Sequence, residues 1–251
     1  MAAAYDTFDY PSYWQERGYE HESEVIAVNA LLDNIPKINK ILDIGGGFGR
    51  LTPQYIFRAK RVFLTDPSTK LLGLARKNLK NYNNIKFVQT TAENLDHKFR
   101  ASSFDTIFIV RVMHHIKNAE AVCKTIVRLL KKNGYLIMEF PNKVHGKAVI
   151  TNFLKGDFTF PLDIFTTDKT IKKSNVRTLP FNNYHPHVIE QMLKKYSLEI
   201  IDKRSVSNIR SPFLKKNLPI KTLIDLERSL QKPLSKLNFG PSIFILARKR
   251  G

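Results

Sequence analysis

The chain has 251 residues, 43% of them hydrophobic, which suits one good core in a single domain. No apolar run reaches the roughly 18 residues that cross a bilayer, and Met1–Asp6 lacks the basic and apolar stretches of a signal peptide, so a cytoplasmic protein is expected. The single cysteine, Cys123, excludes an intramolecular disulfide and a multi-cysteine metal site, and no metal is expected.

The net charge of +19 is unevenly placed: residues 1–40 carry seven acids against three bases, and the remainder is strongly basic. Such a balance points either to an anionic partner, an RNA or a lipid surface, or to lysine-rich compositional drift. The excess of 27 lysines over 14 arginines, scattered without a dense run, favours drift.

In chain order, residues 1–36 read as a helical cover, with Tyr10, Tyr13, Trp14 and Arg17 ahead of an amphipathic helix over 22–34. A first strand, 40–44, runs into Gly45-Gly46-Gly47-Phe48-Gly49. Thr52 and Pro53 then read as N-cap and first residue of a helix. A second strand, 61–65, ends at Asp66-Pro67, and a helix over 68–81 leads to strands 85–89 and 104–110. Over 118–131, Val122, Ile126, Leu129 and Leu130 share one helical face; Lys131, Lys132 and Asn133 precede Gly134, the expected left-handed cap.

Strand 134–140 follows, then a segment, 141–184, with Phe153, Phe158, Phe160 and Phe165 but no clear period. A helix starts around His185-Pro186-His187. Strands 198–203 and 242–248 flank a leucine–lysine stretch within 204–240. Alternating helices and near-continuous apolar strands predict an α/β fold with a parallel sheet covered on both faces. Insertions as long as 141–184 and 204–240 are expected to be lids or partner surfaces of the same domain. The phenylalanines of the first suggest an apolar or aromatic pocket for a lipid-like acceptor. The second reads as a surface for an anionic membrane or as a helical cap with its lysines in solvent.

The glycine cluster and Asp66 carry the chemistry. A strand that ends in glycines brings bare backbone to a ligand, and a carboxylate about 20 residues later grips ribose hydroxyls. A dinucleotide fingerprint beginning at Gly45 needs glycine at position 50, which is Arg50, so an adenosyl cofactor without phosphates fits better. Gly45 and Gly47 are expected to take conformations or allow approaches that a Cβ would block, unless they mark only a tight turn. Asp43, an acid inside an apolar run, should accept bonds from loop amides or reach a cofactor ammonium.

The pattern resembles the class I S-adenosylmethionine-dependent methyltransferases, in particular the type 11 small-molecule group. It is carried by Ile41–Gly49, Leu64–Pro67, Thr90–Leu95, Ser103–Ile116 and Leu130–Met138 in that order. The resemblance implies a Rossmann-like sheet of seven strands, the last antiparallel, with 38–140 as the cofactor-binding core and 185–251 completing the sheet. It further implies that Asp43 and Gly45, Gly46 and Gly47 meet the methionine end of S-adenosylmethionine, and that Asp66 and Pro67 meet the ribose. Thr91, Ala92 and Glu93 then stand on the adenine side, and Val110 and Arg111 at the sulfonium end. The aromatic entry of Tyr10, Tyr13, Trp14 and Arg17 closes over the cofactor, Arg17 toward its carboxylate, or else is a hydrophobic cover with Arg17 paired to Glu20 or Glu24.

Relatives often have aspartate where Thr91 stands, which removes one acceptor for the adenine amino group. A general base is needed only for a protonated nucleophile. The candidates are His114, His115, His185 and His187, with His115 and His185 foremost; in an extended chain only one of the adjacent pair faces the site. The expected partner is a small methyl acceptor, and S-adenosylhomocysteine is the product. RNA is the alternative that the charge raises and the absent base-methylation motifs argue against, and a non-catalytic cofactor-binding module is a third reading.

Overall fold

A computed structural model describes residue 6, residues 9–168 and residues 181–250. Part of the 141–184 insertion, 169–180, therefore lies outside the described residues.

Two helices precede the sheet: α1 (Tyr10–Gln15), whose start Asp9 caps through the Ser12 amide, and α2 (Gly18–Leu32). The first strands and their connections are β1 (Ile38–Ile44), β2 (Ala59–Asp66), α3 (Thr69–Asn78), β3 (Ile85–Gln89) and β4 (Phe104–Ile109). They continue with α4 (Ala119–Leu129), β5 (Leu130–Pro141), α5 (Gly146–Phe153) and a two-residue ladder of β6 (Thr167–Asp168) with β7 (Asn182–Asn183). The chain closes with α6 (Pro186–Lys195), β8 (Leu198–Val206), α7 (Pro212–Asn217), α8 (Ile220–Ser235) and β9 (Ser242–Lys249).

Seven strands form one sheet in the order β3-β2-β1-β4-β5-β9-β8. The pairs from β3 to β5 are parallel, and β9, the last strand of the chain, runs antiparallel to both its neighbours. The sheet is the one expected. Its strands are apolar throughout because both faces are buried: Ile107 and Ile109 pack with α4 and α6 on one side, while Phe108 packs with α2 on the other. Leu136 and Met138 repeat that alternation against Ile137 on β5.

Two local expectations fail. No α-helix follows the glycine loop; short 3-10 turns at Thr52–Gln54 and Ile56–Arg58 take its place, and Thr52 is inside the first turn rather than its cap. The space is filled by α2 together with Tyr55 and Ile56, so a helix is not needed to cover that face. Helix α4 stops at Leu129, and the left-handed residue of the turn is Asn133 (φ 62°), not Gly134. Gly134 is required for another reason: a Cβ there would lie 2.9 Å from the Lys131 carbonyl and 3.1 Å from that of Asp105.

The leucine–lysine stretch is a cap on the sheet. Helix α8 packs on β8 and α2, and its inward positions are Leu223, Glu227, Gln231 and Ser235. That mostly polar face is held by Glu227, whose carboxylate accepts from the Tyr19 hydroxyl (2.6 Å) and from the amides of Ser207 (2.8 Å) and Asn208 (3.0 Å). Among the described residues no helix is long and apolar enough to cross a membrane.

Candidate functional site

The loops that leave β1, β2, β3 and β4 at their C-terminal ends converge on one cleft of about 290 Å³. Crevices at this edge of a parallel sheet are where α/β folds bind ligands. Its walls include Gly45, Gly47, Asp66, Pro67, Thr91, Ala92, Glu93 and Arg111, together with Tyr10, Leu71, Thr90, Val112, His115 and Ile116. A smaller cavity of about 40 Å³ shares Tyr10, Gly45, Gly47 and Arg111 with the cleft and adds Asp43, Gly46 and Val110.

The local backbone explains why this loop is glycine-rich. Gly45 has φ 69°, and a Cβ on it would run into Val112 on the β4 exit. A Cβ on Gly46 would run into the Asp43 carboxylate and lie 2.7 Å from Leu64. With the loop so folded, the Gly47 amide donates to Asp66 Oδ2 at 3.0 Å, and the Ser68 amide to Oδ1 at 2.8 Å. The carboxylate is thereby fixed on the cleft wall, and Ser68, rather than Asp66, caps α3. Burial raises Asp66 to about 6, against the two amides that favour its charge.

Asp43 finds a different partner from the loop amides expected of it. The buried Tyr55 hydroxyl donates to it, and the Tyr55 ring stacks on Phe108 at 4.4 Å. Burial lifts Asp43 to about 7, partly offset by that hydroxyl and reinforced by the charge of Asp66.

Arg111 meets a carboxylate of the protein's own. Its Nε donates to Glu24 Oε1 at 2.6 Å, while Arg50 donates to Oε2 of the same side chain and to His21 Nδ1 (2.6 Å). Burial opposes the charge on Glu24, but the Arg111 and Arg50 guanidiniums outweigh it and hold its carboxyl below the usual range. The Arg50 guanidinium also covers the Trp14 ring at 3.5 Å. Arg111 itself adopts φ 61°, rare for a residue with a side chain, and its amide donates to the buried Glu139 at 2.8 Å. Helix α2 is thus tied to the exit of β4 by an Arg–Glu–Arg cluster.

Several candidates stand elsewhere. Tyr13 and Arg17 do not line this cleft; they border a separate cavity, with Arg17 over the Tyr13 ring at 4.1 Å and paired with neither Glu20 nor Glu24. Met113–His115 is a 3-10 turn, not extended chain, so the His114 and His115 rings face each other at 3.8 Å. His115 lines the cleft; burial pushes His114 down to about 2 and keeps it neutral.

His185 caps α6, its Nδ1 accepting from the His187 amide at 3.2 Å while Nε2 donates to the Pro161 carbonyl at 3.0 Å. Both ring nitrogens are occupied, and neither His185 nor His187 borders the cleft. Of the phenylalanines of 141–184, Phe181 borders that separate cavity, whereas Phe153, Phe158 and Phe165 are exposed, Phe165 by 79%. With no buried residue on α5, nothing draws that face inward.

Tyr10, from the aromatic entry expected to close over the cofactor, does line the cleft, whereas sequence reasoning did not put Leu71, Thr90, Val112 or Ile116 on its wall. The signal for Val112 and Ile116 is their position just past β4, and for Thr90 its position just past β3. Glu24 carried a signal too, as an acid among Ala27, Val28 and Leu31 on the buried side of α2.

The site suits an adenosyl group. Apolar side chains of Leu71, Pro67, Ala92 and Ile116 offer flat contact for a base, Asp66 an acceptor for hydroxyls, and Asp43 an acid near the inner end. The cations on these walls, Arg111 and Arg50, both pair with Glu24 rather than standing free in the cleft. Residues 42–138 match the family described as a methyltransferase domain. Over those residues the chain is similar to methyltransferase domains, as the motif order suggested.

A ubiquinone/menaquinone biosynthesis C-methyltransferase from Azotobacter vinelandii is 32% identical over 127 residues, 47% of this chain and 49% of that protein. The chain thus spans about half the length of such relatives. Among solved structures, the N-methyltransferase NodS from Bradyrhizobium japonicum, in complex with S-adenosylhomocysteine, covers 98% of this chain and 95% of its own at 13% identity and TM-score 0.61. A SAM-dependent methyltransferase from Methanosarcina mazei covers 88% of this chain and 97% of its own at 16% identity and TM-score 0.60. At those identities the likeness speaks for the fold around the methyltransferase domain.

Proposed function

We propose that this protein transfers a methyl group from S-adenosylmethionine to a small organic acceptor. The observation that carries the proposal is the Asp66 carboxylate, held by the Gly47 and Ser68 amides on the wall of a largely apolar cleft. Asp66 would accept from the ribose hydroxyls, charge-assisted and without reorganisation. Pro67, Leu71, Thr91, Ala92 and Glu93 would flank the adenine, and Asp43 with Gly45, Gly46, Gly47 and Val110 would receive the amino-acid end.

The sulfonium supplies an electrophilic methyl carbon. An acceptor held beside the bound cofactor would take that carbon as the carbon–sulfur bond broke, the electron pair staying on sulfur and any proton of the nucleophile passing to a base on the cleft wall. The residues around the cleft contribute alignment and exclusion of water. Among the described residues His115 is the histidine on the cleft wall and is the base where the nucleophile carries a proton. A carbon acceptor, as in the named function of the quinone-pathway relative, falls within this reading.

The test is turnover. The protein is incubated with S-adenosylmethionine and a panel of phenols, carboxylic acids, quinols and amines, and S-adenosylhomocysteine release is followed alongside the mass of the acceptor. Methylation of one class, lost in Asp66→Ala, is the expected outcome. Tight cofactor binding with no methyl leaving it across the panel contradicts catalysis and supports a binding module.

A further inference from the structure

A second cavity, of about 390 Å³, adjoins the cofactor cleft and shares Arg111 with it. It lies among the N-terminal helices, the end of β5 and the segment around α7, and its ionisable walls include Arg17, Glu20, Glu139, Arg210 and Lys215.

The charges on these walls do not cancel. Lys215 Nζ is paired with Glu20 at 2.6 Å, and Arg111 with Glu24. Glu139 is buried and engaged, accepting from the Ser242 hydroxyl at 2.5 Å and from the Arg111 amide. Arg17 and Arg210 remain, both exposed, and neither has a carboxylate within ion-pair reach among the described residues. The Arg17 guanidinium lies over the Tyr13 ring, 4.1 Å from its centroid, a contact that takes up none of its charge. Two uncompensated guanidiniums on a concave wall draw anions and bind them through paired N–H donors.

We infer that this cavity is the acceptor site and that it selects a small molecule bearing an anionic oxygen group, a carboxylate or a phosphate monoester, held by Arg17 and Arg210 with its reactive end toward the cofactor cleft past Arg111. The inference rests on the methyltransferase reading and narrows its acceptor. It also replaces the aromatic pocket expected from 141–184, whose described phenylalanines other than Phe181 do not reach this wall.

The experiment is calorimetric titration of the full chain with benzoate, inorganic phosphate and, as neutral isostere, benzamide, with and without S-adenosylhomocysteine. Benzoate or phosphate is expected to bind in the millimolar range or tighter, and the better of the two identifies the group. Benzamide is expected to bind at least about tenfold more weakly, and Arg17→Gln and Arg210→Gln each to weaken the anion by about tenfold or more. Arg210→Lys is expected to recover part of the loss, and Lys155→Gln, on the exposed end of the insertion, to change nothing. The inference is overturned if neither anion binds at millimolar concentration, if benzamide matches benzoate, or if both arginine variants bind anions as the wild type does. The cofactor arm separates the two readings: anion binding that persists in a protein blind to S-adenosylhomocysteine defeats the proposed function and not the anion site.

Discussion

The cofactor cleft and the insertion after β5 are built in opposite ways. Around the cleft, buried polar groups close on one another: Asp66 on two amides, Asp43 on Tyr55, Glu24 on two arginines. In the insertion, Phe153, Leu154, Phe158, Leu162 and Phe165 face outward. One buried cation, Lys143, holds the 163–165 stretch through the carbonyls of Asp163 (2.9 Å) and Phe165 (2.7 Å) and the Asp163 carboxylate (2.6 Å). The first arrangement fixes geometry from many sides, as preorganised binding requires; the second is held by few side chains, Lys143 and the His185 contact to the Pro161 carbonyl.

That contrast can be broken by mutation. Glu24→Gln removes a buried charge between two part-buried guanidiniums and should cost about 3 kcal/mol of unfolding free energy, read by urea denaturation; a loss under about 1 kcal/mol means the cluster does not clamp α2 to β4. Lys143→Met should cost about 1–2 kcal/mol and raise hydrogen exchange in 160–168 alone. If exchange rises equally around the glycine loop, the two regions are not separable.

The pH dependence sharpens the account of the cleft. Asp66, raised to about 6, would have to be ionised to accept both ribose hydroxyls in the proposed mode. Cofactor affinity should therefore be flat above that value and fall up to about tenfold per unit below it. In Asp66→Asn that component of the slope should vanish.

Stability of the free protein is a poorer readout. The raised Asp66 and Asp43 values contribute stability that is lost as pH rises through about 6 and 7 respectively. His114, held down to about 2, contributes stability that is lost as pH falls below its ordinary 6.5, in the opposite sense. The smallest effect is expected at Phe165→Ser, within about 0.5 kcal/mol of wild type, since that ring already stands in solvent. A larger loss would show that the insertion packs more firmly than its exposure suggests.

Much of the fold was legible because strands buried on both faces announce themselves as apolar runs, and the glycine loop because a strand exit pressed against Val112 and Asp43 leaves no room for a Cβ. What was not legible is long-range. Glu227 and Gln231 are polar positions on a leucine-rich helix, yet they are the buried side: Glu227 accepts from Tyr19 and the 207–208 amides, and Gln231 donates to the Ser23 carbonyl, all far away in sequence. The pairing of Arg111 with Glu24 spans 87 positions and leaves no local trace. The helix expected at Thr52 was a local signal overridden by the packing of α2; of the histidine pair His115 alone lines the cleft, on a 3-10 turn rather than the extended chain expected.

The most direct measurement is calorimetric titration of S-adenosylhomocysteine into the wild type and Asp66→Asn at pH 7.5. Micromolar affinity in the wild type, weakened about a hundredfold in the variant, is the predicted result. No detectable binding at millimolar ligand, or equal affinity in the two proteins, contradicts the assignment of Asp66 and the glycine loop as the seat of the cofactor.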